Sequence, residues 1–260
     1  MKKLRFATLT AAIALAAGMA SAEDIKVGVS VGEHAEIMEK VAPIAAEKGL
    51  NIEVIEFTDY VVPNQALNDG DLNANSFQHQ PYLDQQIADR GFELVTVAKT
   101  ITTPMGIYAE TLKSLDELPD GAKVAIPNDP TNGGRALLLL QAKGLITLKD
   151  GTGLIPTPLD ITENAKKLEF LELEAAQLPR SLPDADIAII NTNYALDAGL
   201  NPQEDAIAIE DADSPYANVI VVRKADENAP WVAQLVEAYH SPEVKSFIEE
   251  EYKGAVIPAW

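Results

Sequence analysis

Alternation of strand-like and helix-like segments is the feature of this sequence that most restricts its fold. Residues 24–31 alternate between apolar and other side chains, as in a strand with one buried face, and residues 34–48 then carry apolar side chains at helical spacing. The same succession recurs as far as two helices that begin at Pro230 and Pro242. Such alternation predicts an α/β protein with a mainly parallel sheet covered by helices.

Periodicity and the punctuation by proline and glycine place the individual elements. The predicted strands are residues 24–31, 51–57, 72–77, 92–98, 122–126, 170–173, 187–190, 206–210 and 219–223. The predicted helices before the last two are residues 34–48, 63–69, 81–90 and 132–143. Pro43 lies within the first helix, and we expect it to kink or divide that helix.

The N-terminal segment has the pattern of a secretory signal peptide. Basic residues among the first five precede an apolar stretch, residues 6–17, and Ala20-Ser21-Ala22 supplies the small residues typical of a cleavage site. We expect removal of residues 1–22, so that the mature chain begins at Glu23 and is exported. The apolar stretch is too short to span a bilayer.

Size predicts two lobes rather than one large sheet. Removal of 22 residues from 260 leaves 238, enough for two lobes of about 120 residues each. No flexible linker separates them, so we expect the chain to cross between lobes more than once, with a cleft between them. The predicted lobes are residues 23–106 plus 222–260, and residues 107–221.

Charge and composition exclude several classes of function. A formal net charge of -20 disfavours nucleic acid as a partner, because such binding depends on lysine and arginine at the phosphates. The chain has no cysteine, and its three histidines are far apart, so we expect no metal site. Nucleotide-binding glycine motifs are also missing from the sequence, and we expect no cofactor. We expect a monomer.

Residues 28–32 match the G-x-S-x-G pattern of serine hydrolases, with Ser30 as the nucleophile and His240 following an acid. In that fold, however, several strands and an oxyanion loop precede the nucleophile. Only five residues of the mature chain precede Gly28. The alternative is a strand end whose glycines allow close backbone approach. We expect no catalytic residue, and an esterase remains the alternative function.

The segment 128–135 joins a predicted strand to a predicted helix. Thr131 or Asn132 could cap the helix, and Arg135 lies in its first turn. A guanidinium beside a helix N-terminus suits a carboxylate, and the helix dipole disfavours an arginine there unless an anion is bound. The alternative is an ordinary cap with a solvated Arg135.

The segment 75–82 brings aromatic side chains to the end of another strand. Phe77 and His79 share one face, Tyr82 follows in the first turn of the next helix, and Tyr60 follows a different strand end. Such rings suit an apolar or thioether side chain. Packing in the core is the alternative.

These segments, with four others, resemble one known family. The resemblance is carried by residues 57–60, 75–86, 124–140, 173–183, 190–194 and 214–218. They are similar to the methionine-binding subunits of bacterial ABC importers, the MetQ/NlpA-like solute-binding family. The resemblance covers essentially the whole mature chain.

The resemblance implies a two-lobed periplasmic-binding-protein fold of the type II kind, with the ligand cleft between the lobes. It implies capture of methionine and delivery to a membrane permease and ATPase. Another small amino acid or a methionine-containing dipeptide remains an alternative ligand. Family members are mostly lipoproteins anchored through a cysteine, which this chain lacks, so we expect a soluble periplasmic protein.

The resemblance also implies roles for individual residues. Tyr60, Phe77, His79 and Tyr82 would surround the methionine side chain, and Arg135 would bind its carboxylate. Three amides would hold the remaining polar groups, chiefly the amine: Asn132, Asn191 and Asn218.

Overall fold

Two five-stranded sheets, each covered by helices, form the body of the protein. The computed structural model describes residues 22–211 and 214–260. The predicted signal peptide therefore lies outside the described residues, apart from Ala22.

The strands are β1 (Glu23–Ser30), β2 (Leu50–Phe57), β3 (Ala74–His79), β4 (Leu94–Lys99), β5 (Ile101–Thr102), β6 (Gly106–Tyr108), β7 (Lys123–Pro127), β8 (Thr147–Leu148), β9 (Ile161–Glu163), β10 (Glu169–Leu173), β11 (Ile187–Ile190), β12 (Ala208–Ile209), β13 (Asn218–Arg223) and β14 (Ile257–Pro258). The α-helices are α1 (Glu33–Glu47), α2 (Val62–Asp69), α3 (Gln80–Arg90), α4 (Pro130–Ala142), α5 (Thr192–Asp197), α6 (Pro230–Tyr239) and α7 (Pro242–Tyr252). Short 3-10 helices lie at Leu115–Glu117, Pro158–Asp160, Ala175–Ser181 and Lys224–Asp226.

The first sheet has the strand order β2-β1-β3-β13-β4. Strand β1 pairs in parallel with β2 and β3, whereas β13 pairs antiparallel with β3 and β4. The apolar face of β1 packs on α1, α6 and α7, where Ile37, Leu235 and Ile248 are fully buried. This burial explains why the alternating residues of β1 form a strand with one face in the core.

The second sheet has the strand order β10-β7-β11-β6-β12. Strand β7 pairs in parallel with β10 and β11, and β6 pairs antiparallel with β11 and β12. Helix α4 covers this sheet with the buried leucines Leu137 and Leu140, which pack near Val124 and Ile126 of β7. The start of α4 is thereby fixed at the carboxyl end of β7.

Both large sheets are mixed, and in each of them four of the five strands run in the same direction, in keeping with the predicted mainly parallel arrangement. Strands β6 and β13 are the ones that run antiparallel to their neighbours. Each is the strand that enters its sheet after the chain has crossed from the other one. Pro43 does not divide the first helix, which continues from Glu33 to Glu47 with the proline inside it.

The chain crosses between the sheets twice, at residues 100–105 and 210–217. The first sheet takes its strands from residues 23–99 and 218–223, and the second from residues 106–209. The residues at which the two predicted lobes begin and end stay a prediction. Across the described ranges, no helix is both long and apolar enough to cross a membrane.

Candidate functional site

A cavity lies between the two sheets, beside both crossovers. The space between its lining atoms, counted together with the part that opens to solvent, is about 340 Å³. The lining residues are His34, Tyr60, Phe77, Gln78, His79, Tyr82, Thr103, Asn132, Arg135, Asn191, Asn193 and Asn218. All eight residues selected from the sequence lie around this cavity, so the structure brings them together, and their roles toward a ligand stay a prediction.

Three rings form the apolar wall of the cavity. The ring centroids of Tyr60, Phe77 and Tyr82 are 6.0 to 6.1 Å apart in each pair. Phe77 belongs to β3, in which every residue is buried, and its own side chain is 4% exposed. The Tyr82 hydroxyl donates to the Tyr60 backbone carbonyl oxygen at 2.9 Å, which fixes the Tyr82 ring. The wall suits an unbranched apolar chain.

His79 connects this wall to the second sheet. Its Nδ1 accepts the backbone N–H of Tyr82 at 3.1 Å and so caps helix α3. Since Nδ1 is an acceptor, the proton of the neutral ring lies on Nε2, which is 3.1 Å from the side-chain oxygen of Asn132. Burial, and then the nearby Arg135, lower the pKa of His79 to about 3. His79 is therefore a neutral donor across the cleft.

Arg135 lies at the polar end of the cavity and is 2% exposed, so it is not a solvated surface arginine. Helix α4 begins at Pro130 and is capped by the Asp129 side chain, which accepts the N–H of Asn132 at 2.9 Å. The expectation that Thr131 or Asn132 provides the cap is wrong. The expectation that Arg135 lies in the first turn is also wrong, because α4 begins at Pro130 and Arg135 lies in its second turn. The shift in cap follows from Pro130, whose fixed φ suits the first helical position.

The guanidinium of Arg135 is held on two sides. Its Nε donates to both carboxylate oxygens of Glu210, at 3.0 and 3.1 Å, and its Nη2 donates to Glu210 and to the Thr103 carbonyl oxygen at 2.9 Å. The ring of Tyr216 lies 4.4 Å below it. Nη1 makes no hydrogen bond with the described residues, which leaves it for a ligand.

The amides differ in how far the protein satisfies them. Asn132 donates to both oxygens of Asp129, at 3.1 and 3.0 Å, and its oxygen accepts from Asn191 at 2.9 Å as well as facing His79. Asn132 is thus occupied by protein partners.

Asn191 and Asn193 each keep an unused polar atom. The side-chain oxygen of Asn191 and the side-chain nitrogen of Asn193 are buried without a partner among the described residues. The Asn218 nitrogen makes a long contact of 3.4 Å with the Thr103 hydroxyl. Two residues that line the cavity therefore carry one buried acceptor and one buried donor without a partner among the described residues.

The cavity carries little charge. Among the described residues that line it, none is a carboxylate, and burial lowers the pKa of His34 to about 4, so both lining histidines are neutral at neutral pH. Arg135 is the lining group with a formal charge. No group of three or more histidine, aspartate or glutamate side chains in the described part of the chain could hold a metal ion.

Sequence reasoning did not select four lining residues: His34, Gln78, Thr103 and Asn193. Asn193 stands in the segment 190–194, which carried the family resemblance, and could have been found there. Thr103 gave no signal, because it lies in a crossover with no periodicity. Glu210 was also missed, although it pairs with Arg135.

Ser30 does not have the setting of a hydrolase nucleophile. It is fully buried at the end of β1, and its hydroxyl has no partner among the described residues. His240 instead places its Nε2 2.8 Å from the Lys99 carbonyl oxygen and stacks on Trp260 at 4.8 Å.

Comparison with known proteins gives matches over most of the chain. The family model described as NlpA lipoprotein matches residues 25–260. The D-methionine-binding lipoprotein MetQ of Salmonella typhimurium is 55% identical over 239 residues, which cover 91% of this chain and 88% of that protein. The protein of the same name from Escherichia coli K12 is 53% identical, with the same coverage.

Solved structures match equally well. A nutrient binding protein from Burkholderia cenocepacia bound to methionine has a TM-score of 0.89 and 55% identity, covering 91% of this chain and 100% of that one. The crystal structure of the methionine binding protein MetQ has a TM-score of 0.89 and 52% identity, covering 91% and 98%. These similarities confirm the fold class predicted from the sequence.

Proposed function

The chain belongs to the NlpA lipoprotein family, and we propose that it is a solute-binding protein which captures methionine between its two lobes and delivers it to an ABC importer. The observation that carries this proposal is the cavity itself. It combines a wall of three rings with one buried guanidinium and two unused amide atoms. The names of the relatives and the methionine-bound neighbour support the same ligand.

The unused atoms suggest how the backbone of an amino acid is held. The ligand carboxylate binds Nη1 of Arg135 and the side-chain nitrogen of Asn193, since both are donors. The ammonium binds the side-chain oxygen of Asn191, the free acceptor, next to Asn218. Asn132 acts differently: it orients Asn191 and His79 and makes no direct contact with the ammonium.

The ring wall receives the ligand side chain. Tyr60, Phe77 and Tyr82 surround a space in which a thioether meets ring edges, each contact contributing roughly 0.3 to 1.5 kcal/mol. His79 closes this end, and its neutral form adds no charge near the sulfur. A charged side chain would lose its hydration there without a partner.

We propose that each sheet is the centre of one lobe, residues 23–99 and 218–260 forming one and residues 106–209 the other, and that the two crossovers serve as the hinge. The lobes open to admit the ligand and close over it. The closed form is the one that a permease and its ATPase receive. The protein acts as a monomer.

The protein works in the periplasm. Its N-terminal segment supports this, because basic residues, an apolar stretch and Ala20-Ser21-Ala22 have the pattern of a signal peptide cleaved after Ala22.

Binding without catalysis fits the site better than ester hydrolysis. Ser30 is buried in a strand, and His240 is bonded to a backbone carbonyl. A nucleophile needs a base within hydrogen-bonding reach and access for its substrate. Neither condition has support at Ser30.

Calorimetric titration tests the proposal. Wild-type protein is titrated with L-methionine, D-methionine, leucine and a methionine-containing dipeptide, and methionine should bind most tightly. Arg135→Ala should weaken methionine binding by about 2 to 5 kcal/mol, or roughly 30-fold to several thousandfold, because it removes one partner of a buried charged pair. Arg180→Ala, an exposed arginine of the second lobe, serves as the matched control.

The result that would refute the proposal is equally definite. If leucine or the dipeptide binds and methionine does not, the ligand is wrong and the binding role survives. If Arg135→Ala binds methionine within threefold of Arg180→Ala, the guanidinium does not contact the carboxylate.

A further inference from the structure

Glu210 is the residue that most constrains the polar end of the cavity without lining it. It lies in the second crossover, where its backbone N–H donates to the Met105 carbonyl oxygen at 2.9 Å. Its carboxylate also accepts the N–H of Met105 at 3.3 Å. The side chain is therefore fixed in place by the first crossover, and it is 14% exposed.

The pairing of Glu210 with Arg135 uses one edge of the guanidinium. Nε and Nη2 both donate to the Glu210 carboxylate, Nη2 also donates to Thr103, and Tyr216 covers one face. Only Nη1 is left to meet a ligand. Glu210 thus decides which part of the guanidinium points into the cavity.

The pairing also sets the charge of the cavity. Arg135 is the charged group among the described lining residues, and Glu210 cancels it. A further carboxylate, that of Asp129, accepts hydrogen bonds from the side chain of the lining residue Asn132. A ligand that carries both an anionic and a cationic group enters such a site without leaving an unbalanced charge.

We propose that Glu210 is a specificity-determining residue: by neutralising Arg135 it makes the cavity select zwitterionic amino acids over acids that lack the ammonium group. The proposal rests on the proposed function, because it takes Arg135 as the partner of the ligand carboxylate. Without Glu210, the buried guanidinium is an uncompensated cation. An anionic ligand then binds more tightly, whereas an amino acid binds less tightly because its ammonium group is repelled by the cation.

The test compares two ligands that differ in the ammonium alone: L-methionine and 4-(methylsulfanyl)butanoate. Each is titrated calorimetrically into wild-type protein, Glu210→Gln and Glu210→Asp. Glu172→Gln, an exposed glutamate of β10, is the matched control. In Glu210→Gln the preference for methionine over the butanoate should shrink at least tenfold, whereas Glu210→Asp and Glu172→Gln should keep it within threefold.

A merely structural role for Glu210 would lower both affinities by the same factor and leave the preference unchanged, and that result overturns the proposal. If Glu210→Gln does not fold, Glu210→Ala provides a second neutral variant with room for water beside the guanidinium, and the same tenfold shift is expected. Failure of the wild type to bind methionine would instead refute the proposed function, so the two failures are distinguishable.

Discussion

Replacing Gly32 by alanine should weaken ligand binding by holding the two lobes apart. Gly32 precedes helix α1 in the first lobe and has φ of +86°. An ideal Cβ at this position lies 2.7 Å from the backbone oxygen of Asn193 and 3.2 Å from its Cα, in the second lobe. Real Cβ atoms essentially never approach closer than 3.0 Å, so the Asn193 backbone has to move.

The expected loss of ligand affinity follows from the contacts that Asn193 makes. Its side-chain oxygen accepts a hydrogen bond from the Tyr60 hydroxyl at 2.5 Å across the cleft, and its side chain lines the cavity. Overpacking of this kind costs about 1 to 3 kcal/mol. Because the contact lies between the two lobes, we expect this energy to be lost from ligand affinity, which should fall about five- to 150-fold.

Backbone strain needs a separate control, since alanine is disfavoured at positive φ in any state. Gly70 has φ of +89°, and its Cβ would meet nothing within 4 Å. Gly70→Ala therefore carries the strain without the contact between lobes. Calorimetric titration of methionine into both variants decides the matter: affinities within twofold of each other would show that the approach of Gly32 to Asn193 does not limit closure.

Two further substitutions test the buried carboxyl group of Glu33 and the ring of Phe77 in the cavity wall. Burial raises the pKa of Glu33 from 4.5 to about 8, so the folded state holds a proton that the unfolded state has lost, and stability should fall as pH rises from 4.5 to 8. Between pH 6 and pH 8 the free energy of unfolding of the wild type should fall by roughly 2 kcal/mol more than that of Glu33→Gln. Urea unfolding of both proteins at the two pH values measures this difference. An equal pH dependence in the two proteins would contradict the shift in pKa. Phe77→Ala should cost about tenfold in affinity for methionine, and less for the shorter 2-aminobutyrate, because a ring contact is lost. Phe92→Ala, buried away from the cavity, should not change the ratio of the two affinities by calorimetry.

Local sequence patterns were sufficient to locate the candidate site residues that lie at the end of a strand or just after it. Alternation along β3 puts Phe77 and His79 on one face, and the helix after β7 carries Arg135 in its first turns. Strands β3 and β7 belong to different sheets, so the meeting of these residues at one cavity depends on how the two sheets face each other, which no local pattern reports. The orientation of β6 and β13 has no comparable local signal, because it depends on where the chain crosses between sheets.

Sequence reasoning missed Glu210, which contacts the functional residue Arg135 and does not line the cavity itself. Glu210 lies in a crossover, and no motif in the surrounding sequence indicates a side-chain partner 75 positions away. Asn132 was selected, yet its amide is occupied by Asp129, His79 and Asn191. Hydrogen-bond partners at such separations are set by tertiary structure, which periodicity does not report.

Recognition and closure depend on the same side chains. Among the described residues, four side-chain hydrogen bonds join the lobes. They run from His79 to Asn132, from Tyr60 to Asn193, from the hydroxyl of Tyr194 to the Thr58 carbonyl oxygen at 3.1 Å, and from the side-chain nitrogen of Gln203 to the Gly254 carbonyl oxygen at 3.2 Å. At about 0.5 to 1.5 kcal/mol each, they contribute a few kcal/mol to closing.

Closing also removes the free atoms of Asn191 and Asn193 from water, at a cost of about 1 to 3 kcal/mol each when they stay unpaired. The two contributions are of similar size, so closure alone is nearly balanced. A ligand whose carboxylate and ammonium satisfy those atoms removes the cost and leaves the hydrogen bonds between the lobes as net stabilisation. The closed state is then populated when the cavity holds an amino acid, which is the state that an importer must distinguish from the empty protein.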